Sequence, residues 1–71
     1  MDFGKALELL KDERRVARNG WVGAWIVLQI PNPHSKMTHP YLYMEYKRGS
    51  KIPWLPSQVD LLAEDWDEVR E

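Results

Sequence analysis

The chain has 71 residues, enough for one domain and not for two. It contains no cysteine, which excludes disulfide staples and thiolate metal sites. Its net charge is -1, and no apolar run approaches the roughly 20 residues that a membrane span requires.

A domain of this size buries roughly 60% of the surface its unfolded chain exposes, so its own core is marginal. Four tryptophans and three tyrosines are more ring surface than such a core encloses. A second copy of the chain or a ligand is the simplest source of the missing stability, because each shifts folding by mass action. The charge is uneven. Before residue 60, nine Lys and Arg stand against five Asp and Glu; from residue 60 onward Arg70 faces six acids. That acidic end argues against binding duplex nucleic acid, which needs a coherent basic surface. The basic part still offers an anion site for a small phosphorylated ligand. Met1-Asp2-Phe3-Gly4-Lys5 lacks the charged and apolar regions of a signal peptide, so a cytoplasmic location is expected.

The first predicted element is a helix over 3–11. Phe3, Ala6, Leu7 and Leu10 recur at helical spacing, Asp2 caps the start and Lys11 suits the end. Arg14 to Arg18 reads as a short strand, followed by an Asn19-Gly20 turn, with Gly23 a second flexible point beside Trp21. Ala24 to Ile30 is the clearest strand. Its apolar run does not alternate, so both faces are expected to be covered, one by helices and the other by a second subunit. Residues 31–40 form a polar loop. Tyr41 to Lys47 is the next strand, with Tyr41, Tyr43, Glu45 and Lys47 on one face and Leu42, Met44 and Tyr46 on the other. Arg48-Gly49-Ser50 is a tight turn into a returning strand at Lys51-Ile52. A second helix is expected over 57–63, with Ser57 as its N-cap and Asp60 at capping-box spacing. Val59, Leu62, Ala63 and Trp66 continue an apolar stripe along it. Trp66 to Val69 is either a last turn or a closing strand.

The chemistry-bearing residues are few. His34 and His39 share an irregular loop and have no fixed third ligand, so no metal is expected. Asp60 and Glu64 lie four apart on the second helix, a spacing that permits acid–base chemistry and also describes any solvated face. No serine is paired with a histidine as its base in a recognisable catalytic pattern, and no Gly-rich phosphate loop is present. Ring faces are more informative. Trp21, Trp25, Tyr41, Tyr43, Trp54 and Trp66 suit a purine or a sugar, and Arg14, Arg15, Arg18 and Lys47 suit phosphate. Trp25 and Trp66 are expected in the core or a subunit interface. Trp54 sits on a stiff segment between Pro53 and Pro56, where Ser57 and Gln58 add hydrogen-bonding groups.

Phe3-Gly4-Lys5-Ala6-Leu7, Val16-Ala17-Arg18-Asn19-Gly20-Trp21 and Pro53-Trp54-Leu55-Pro56-Ser57-Gln58-Val59-Asp60-Leu61-Leu62-Ala63-Glu64-Asp65-Trp66 together resemble the family of the second Thoeris anti-defence domain. The likeness runs from residue 2 to about 69. It implies a binding protein of phages and prophages, and not an enzyme. Such proteins act as sponges for cyclic nucleotide signals made from NAD by a bacterial immune system, and some capture cyclic dinucleotides. The resemblance also implies a homotetramer with ligand held between subunits. It carries a ligand role onto Trp21, Trp54, Arg18, Ser57, Gln58 and Asp60. Many members have a longer insertion where this chain has only Arg48-Gly49-Ser50.

These readings predict one α+β domain over residues 1–71, with a small antiparallel sheet and two short helices, assembling as a homo-oligomer. The expected function is non-catalytic capture of cyclic ADP-ribose isomers or cyclic dinucleotides in the bacterial cytoplasm. No catalytic residue, metal, cofactor, nucleic acid polymer or membrane is expected. The competing reading is a structural or protein-interaction module of a phage or prophage.

Overall fold

The computed structural model describes residues 1–70; Glu71, the last residue of the predicted domain, lies outside them. Helix α1 spans Phe3–Lys11, and strands β1 (Arg15–Arg18), β2 (Ala24–Gln29), β3 (Tyr41–Tyr46) and β4 (Lys51–Pro53) follow. Helix α2 (Gln58–Leu62) then leads into β5 (Trp66–Val69). The strands form one antiparallel sheet in the order β4-β3-β2-β1-β5. The chain therefore builds the sheet from β1 outward to β4. The segment carrying α2 then returns to the other edge, where β5 closes against β1.

Local chemistry sets these boundaries. The Asp2 carboxylate accepts the Lys5 backbone N–H at 2.9 Å and caps α1. The helix stops in a Schellman turn: the Glu13 and Arg14 amides donate back to the Leu10 and Leu9 carbonyls. Glu13 holds the left-handed conformation there, φ 62°, in the place glycine usually takes. Gly20 supplies φ 95° for the turn after β1.

Strand register assigns the two faces. Val16, Ile26, Met44 and Ile52 lie in one cross-strand row, and Arg18 pairs with Trp66 on the same face. Helix α1 covers this face. Ala6 and Leu10 are fully buried against Val16, Ile26 and Trp66, and Phe3, Leu7, Trp21, Met44 and Trp54 pack around that cluster. Burying one such aliphatic side chain is worth about 1.5–3 kcal/mol, so these few contacts dominate the stability of so small a domain.

The opposite face carries Arg15, Trp25, Val27, Tyr41, Tyr43, Glu45 and Lys51, and neither helix packs on it. Trp25 is nonetheless only 8% exposed. Its indole N–H donates to Glu45 at 2.8 Å, and the Arg15 guanidinium lies 4.9 Å from the ring centroid. Lys51 completes the row with a 3.3 Å ion pair to Glu45. Neighbouring side chains on β1, β3 and β4 thus cover Trp25 within one chain, while Val27, Tyr41 and Tyr43 beside it stay partly exposed.

The second helix departs from expectation. None of its five residues is buried. Val59 and Leu62 are 67% and 77% exposed, so the predicted stripe from Val59 to Trp66 does not exist. Trp66 belongs to β5, after the chain has turned extended at Ala63, and it is buried by the sheet and α1. Glu64 likewise lies beyond the helix end, so it shares no helical face with Asp60.

Candidate functional site

Trp66 organises the site. It is 1% exposed and sits beneath three other rings. Trp21 meets it edge-on with centroids 5.4 Å apart, and Trp54 does so at 5.8 Å. Phe3 lies 5.3 Å from Trp66 and 5.7 Å from Trp54. Edge-to-face contacts of this kind add about 0.5–1.5 kcal/mol each beyond area burial and fix ring orientation. Trp21 and Trp54 are therefore brought together through a shared buried neighbour, and both remain half-buried.

Arg18 sits at the end of β1 beside this cluster. Its Nε and Nη2 donate to the two Asp65 carboxylate oxygens at 2.9 and 3.4 Å, and its Nη1 donates to Asp60 at 3.0 Å. The Arg18 hydrogen bonds hold the Asp65 carboxyl below its ordinary range, while the same bonds to Asp65 and Asp60 push the guanidinium pKa up. A single cation thus joins β1 to α2 and to the segment before β5.

Asp60 is a junction. Its backbone N–H donates to Ser57 Oγ at 3.1 Å, and its carboxylate accepts the Ser57 backbone N–H at 3.4 Å, completing the predicted capping box. Its carbonyl accepts the Trp66 indole N–H at 3.0 Å. Ser57 and Gln58 lie exposed at the start of α2. Two amides at that helix start are already occupied by the chain's own oxygens.

An open depression of about 630 Å³ lies beside Trp21, along the β1 and β5 edge. Its charged lining groups are Arg18, the Met1 ammonium, which donates to the Glu64 and Trp66 carbonyls, and the carboxylates of Asp65, Asp67 and Glu68. Three carboxylates face two cations, and Arg18 is committed to Asp65 in the lining and to Asp60 outside it. Arg14 is engaged as well, donating to Glu68 at 2.7 Å. On an isolated chain this hollow offers the Trp21 side chain and polar groups, with little net attraction for an anion.

Of the six residues expected to meet ligand, Arg18 and Asp60 touch each other, and Trp21 and Trp54 share Trp66. Ser57 caps the helix and Gln58 opens it. Sequence reasoning treated Asp65 as one acid among several. Its position, immediately before a core tryptophan and within reach of Arg18, emerges only when β5 pairs with β1. His34 and His39 are exposed, and no cluster of three metal-ligating side chains occurs among the described residues. No helix among the described residues is long and apolar enough to cross a membrane.

The fold and site define a small α+β domain with a five-stranded antiparallel sheet, helices on one face and a tryptophan cluster at one edge. A family model described as the Thoeris anti-defense 2-like domain matches residues 1–69. The protein named Thoeris anti-defense 2 of Bacillus phage SP01 is 36% identical over 84 residues, covering 97% of this chain and 94% of that protein. The chain belongs to the Thoeris anti-defense 2-like family. An alignment of 84 positions exceeds the chain's 71 residues, so the phage protein carries segments with no counterpart here.

Proposed function

We propose that this chain is a non-catalytic binding protein that captures a cyclic nucleotide immune signal, a cyclic ADP-ribose isomer or a cyclic dinucleotide, as a homo-oligomer. The observation that carries this reading is the half-buried Trp21, held edge-on by Trp66 at the rim of an open depression. A ring fixed in this way is a stacking platform with little conformational entropy left to lose. Family membership supports an anti-defence role. The ligand returns unchanged in this mechanism, since capture needs no nucleophile or base. Trp54, Ser57 and Gln58 do not line that depression; in this reading they form a separate second edge of the site, and the bacterial cytoplasm is where it acts.

Surfaces that one chain leaves uncovered support the assembly in this reading. Leu55, Val59 and Leu62 are each more than half exposed and lie on or beside α2. The helix-free sheet face adds Tyr41 and Tyr43. A tetramer would cover such surfaces and bring cations from a neighbouring copy toward a ligand that Arg18 alone does not attract. The same exposed apolar residues favour a second reading, a module that docks a different protein.

Native mass spectrometry with and without cyclic ADP-ribose isomers and cyclic dinucleotides tests both. The sponge reading expects an oligomer that takes up a fixed number of ligands, recovered chemically intact after heating. Replacing Trp21 with Ala should weaken binding by about 1–3 kcal/mol, and with Phe by less. An 8.4 kDa monomer that ignores the whole panel would overturn the sponge and leave the docking module.

A further inference from the structure

We infer that Arg18 and Asp65 form a positioning clamp that sets the Ser57–Gln58 edge of the site relative to Trp54 and Trp21, and that Arg18 is not itself a phosphate contact. The inference rests on the binding reading above and assigns new roles within that site. Asp65 belongs to none of the expected ligand contacts.

Helix α2 has no buried residue of its own; apolar packing holds only its flanks, at Trp54 and Ala63, and leaves the helix between them to other contacts. Polar bonds converging on Asp60 supply them. Its carbonyl receives the Trp66 indole, its amide and carboxylate close the Ser57 cap, and its carboxylate also receives Arg18. Arg18 is in turn aimed by a two-point grip on Asp65, the arrangement that fixes a planar guanidinium most firmly. The other end of the segment is pinned where the Trp54 amide donates to the Leu42 carbonyl at 3.1 Å. Between these anchors Pro56 stiffens the backbone, so a shift of α2 carries Ser57 and Gln58 with it and changes their placement relative to the anchored Trp54 ring.

Electrostatics argue against a direct phosphate role. A phosphate brought against Arg18 would meet two carboxylates already within hydrogen-bond range of the same group. It would have to displace one of them or stand beside like charge. Arg18 acts through Asp60 and Asp65 on the placement of Ser57 and Gln58.

The two roles predict opposite signs for one substitution. Asp65→Asn weakens the grip on Arg18 and leaves the arginine more available. A clamp predicts looser α2 and weaker ligand binding; a phosphate contact predicts tighter binding. In the free protein, hydrogen exchange of the Trp66 indole N–H reports α2 docking, and the Trp25 indole N–H, bonded to Glu45 on the opposite face, serves as the internal control. Arg18→Gln and Asp65→Asn should accelerate Trp66 exchange relative to Trp25 by about tenfold beyond the change that denaturant produces in wild type at a matched loss of global stability. Arg18→Lys keeps the charge but cannot grip both carboxylates, so it should behave as Arg18→Gln does. With cyclic ADP-ribose isomers as probes, Asp65→Asn should bind about tenfold more weakly than wild type. Tighter binding in Asp65→Asn, or equal acceleration of both indoles, would overturn the clamp. If wild type binds no probe, the capture reading fails and the exchange ratio alone decides the clamp. If Arg18→Gln does not fold, the milder Asp65→Asn carries both measurements.

Discussion

The two helices are held in place by different physics. Helix α1 buries Ala6 and Leu10 completely and closes over Val16, Ile26 and Trp66. Helix α2 buries nothing and turns Val59 and Leu62 to solvent. It is kept by a capping box, an indole hydrogen bond and an arginine shared with Asp65. Apolar burial is non-directional and insensitive to pH, whereas ion pairs are directional, screened by salt and lost when a carboxylate protonates. The domain therefore has a helix that stands or falls with the core and another that can respond separately. The responsive one adjoins the proposed ligand edge, where local adjustability would be useful.

The sharpest way to break this comparison is to truncate the α1 contact. Leu10→Ala should cost about 2–5 kcal/mol, enough to unfold much of so small a domain, as a lowered denaturant midpoint would show. A comparable loss from any exposed α2 residue would contradict the division drawn above.

Acid should loosen α2 ahead of α1. The folded-state pKa of Asp65 is depressed by its Arg18 bonds, so its contribution is complete above the unfolded carboxyl value near 3.8 and disappears as pH falls through the lower folded value. Glu45, depressed chiefly by the Trp25 indole bond, is lost in the same direction on the opposite face. Thermal melts from pH 7 down to about 2 should show wild type losing stability on acidification, and Asp65→Asn losing less of it. An identical acid dependence in the two proteins would show that Asp65 is not linked to folding.

A smaller effect is expected at Ser57. Its replacement by Ala should cost about 0.5–2 kcal/mol by opening the capping box. Melting and ligand titration should both move, because the cap holds the ligand edge. Collapse of affinity with an unchanged melt would instead identify Ser57 as a direct contact.

The smallest effect on the folded chain is expected at Leu62. Leu62→Ser should change its stability by no more than about 0.5 kcal/mol, the usual range for an exposed position. If α2 meets a neighbouring copy, the same change should lower the oligomer mass seen by light scattering. Marked destabilisation with the mass unchanged would mean that Leu62 packs within its own chain.

The sequence by itself determined most of the elements, leaving Trp66 to Val69 open between a last turn and a closing strand. Periodicity and punctuation placed α1 at its observed bounds, put β2 and β3 within a residue, and marked the turns at Asn19-Gly20 and Arg48-Gly49-Ser50. The Ser57 and Asp60 spacing determined the capping box, because cap chemistry is local and acts over three residues. The long Pro53 to Trp66 motif, with its counterpart around Arg18 to Trp21, also made the family legible.

Tertiary structure decided what those residues do. Val59, Leu62, Ala63 and Trp66 have helical spacing, yet the chain leaves the helix at Ala63 and Trp66 pairs with Arg18 in the sheet. A period of three and four cannot reveal whether the surface it would face exists. The Arg18 grip on Asp60 and Asp65 spans 42 and 47 residues, and nothing local records a contact made only when the last strand crosses to the far edge of the sheet. Local structure follows from bonds between near neighbours, so it can be read along the chain. The clamp and the ring cluster depend on which strands become adjacent, and only the closed sheet determines that.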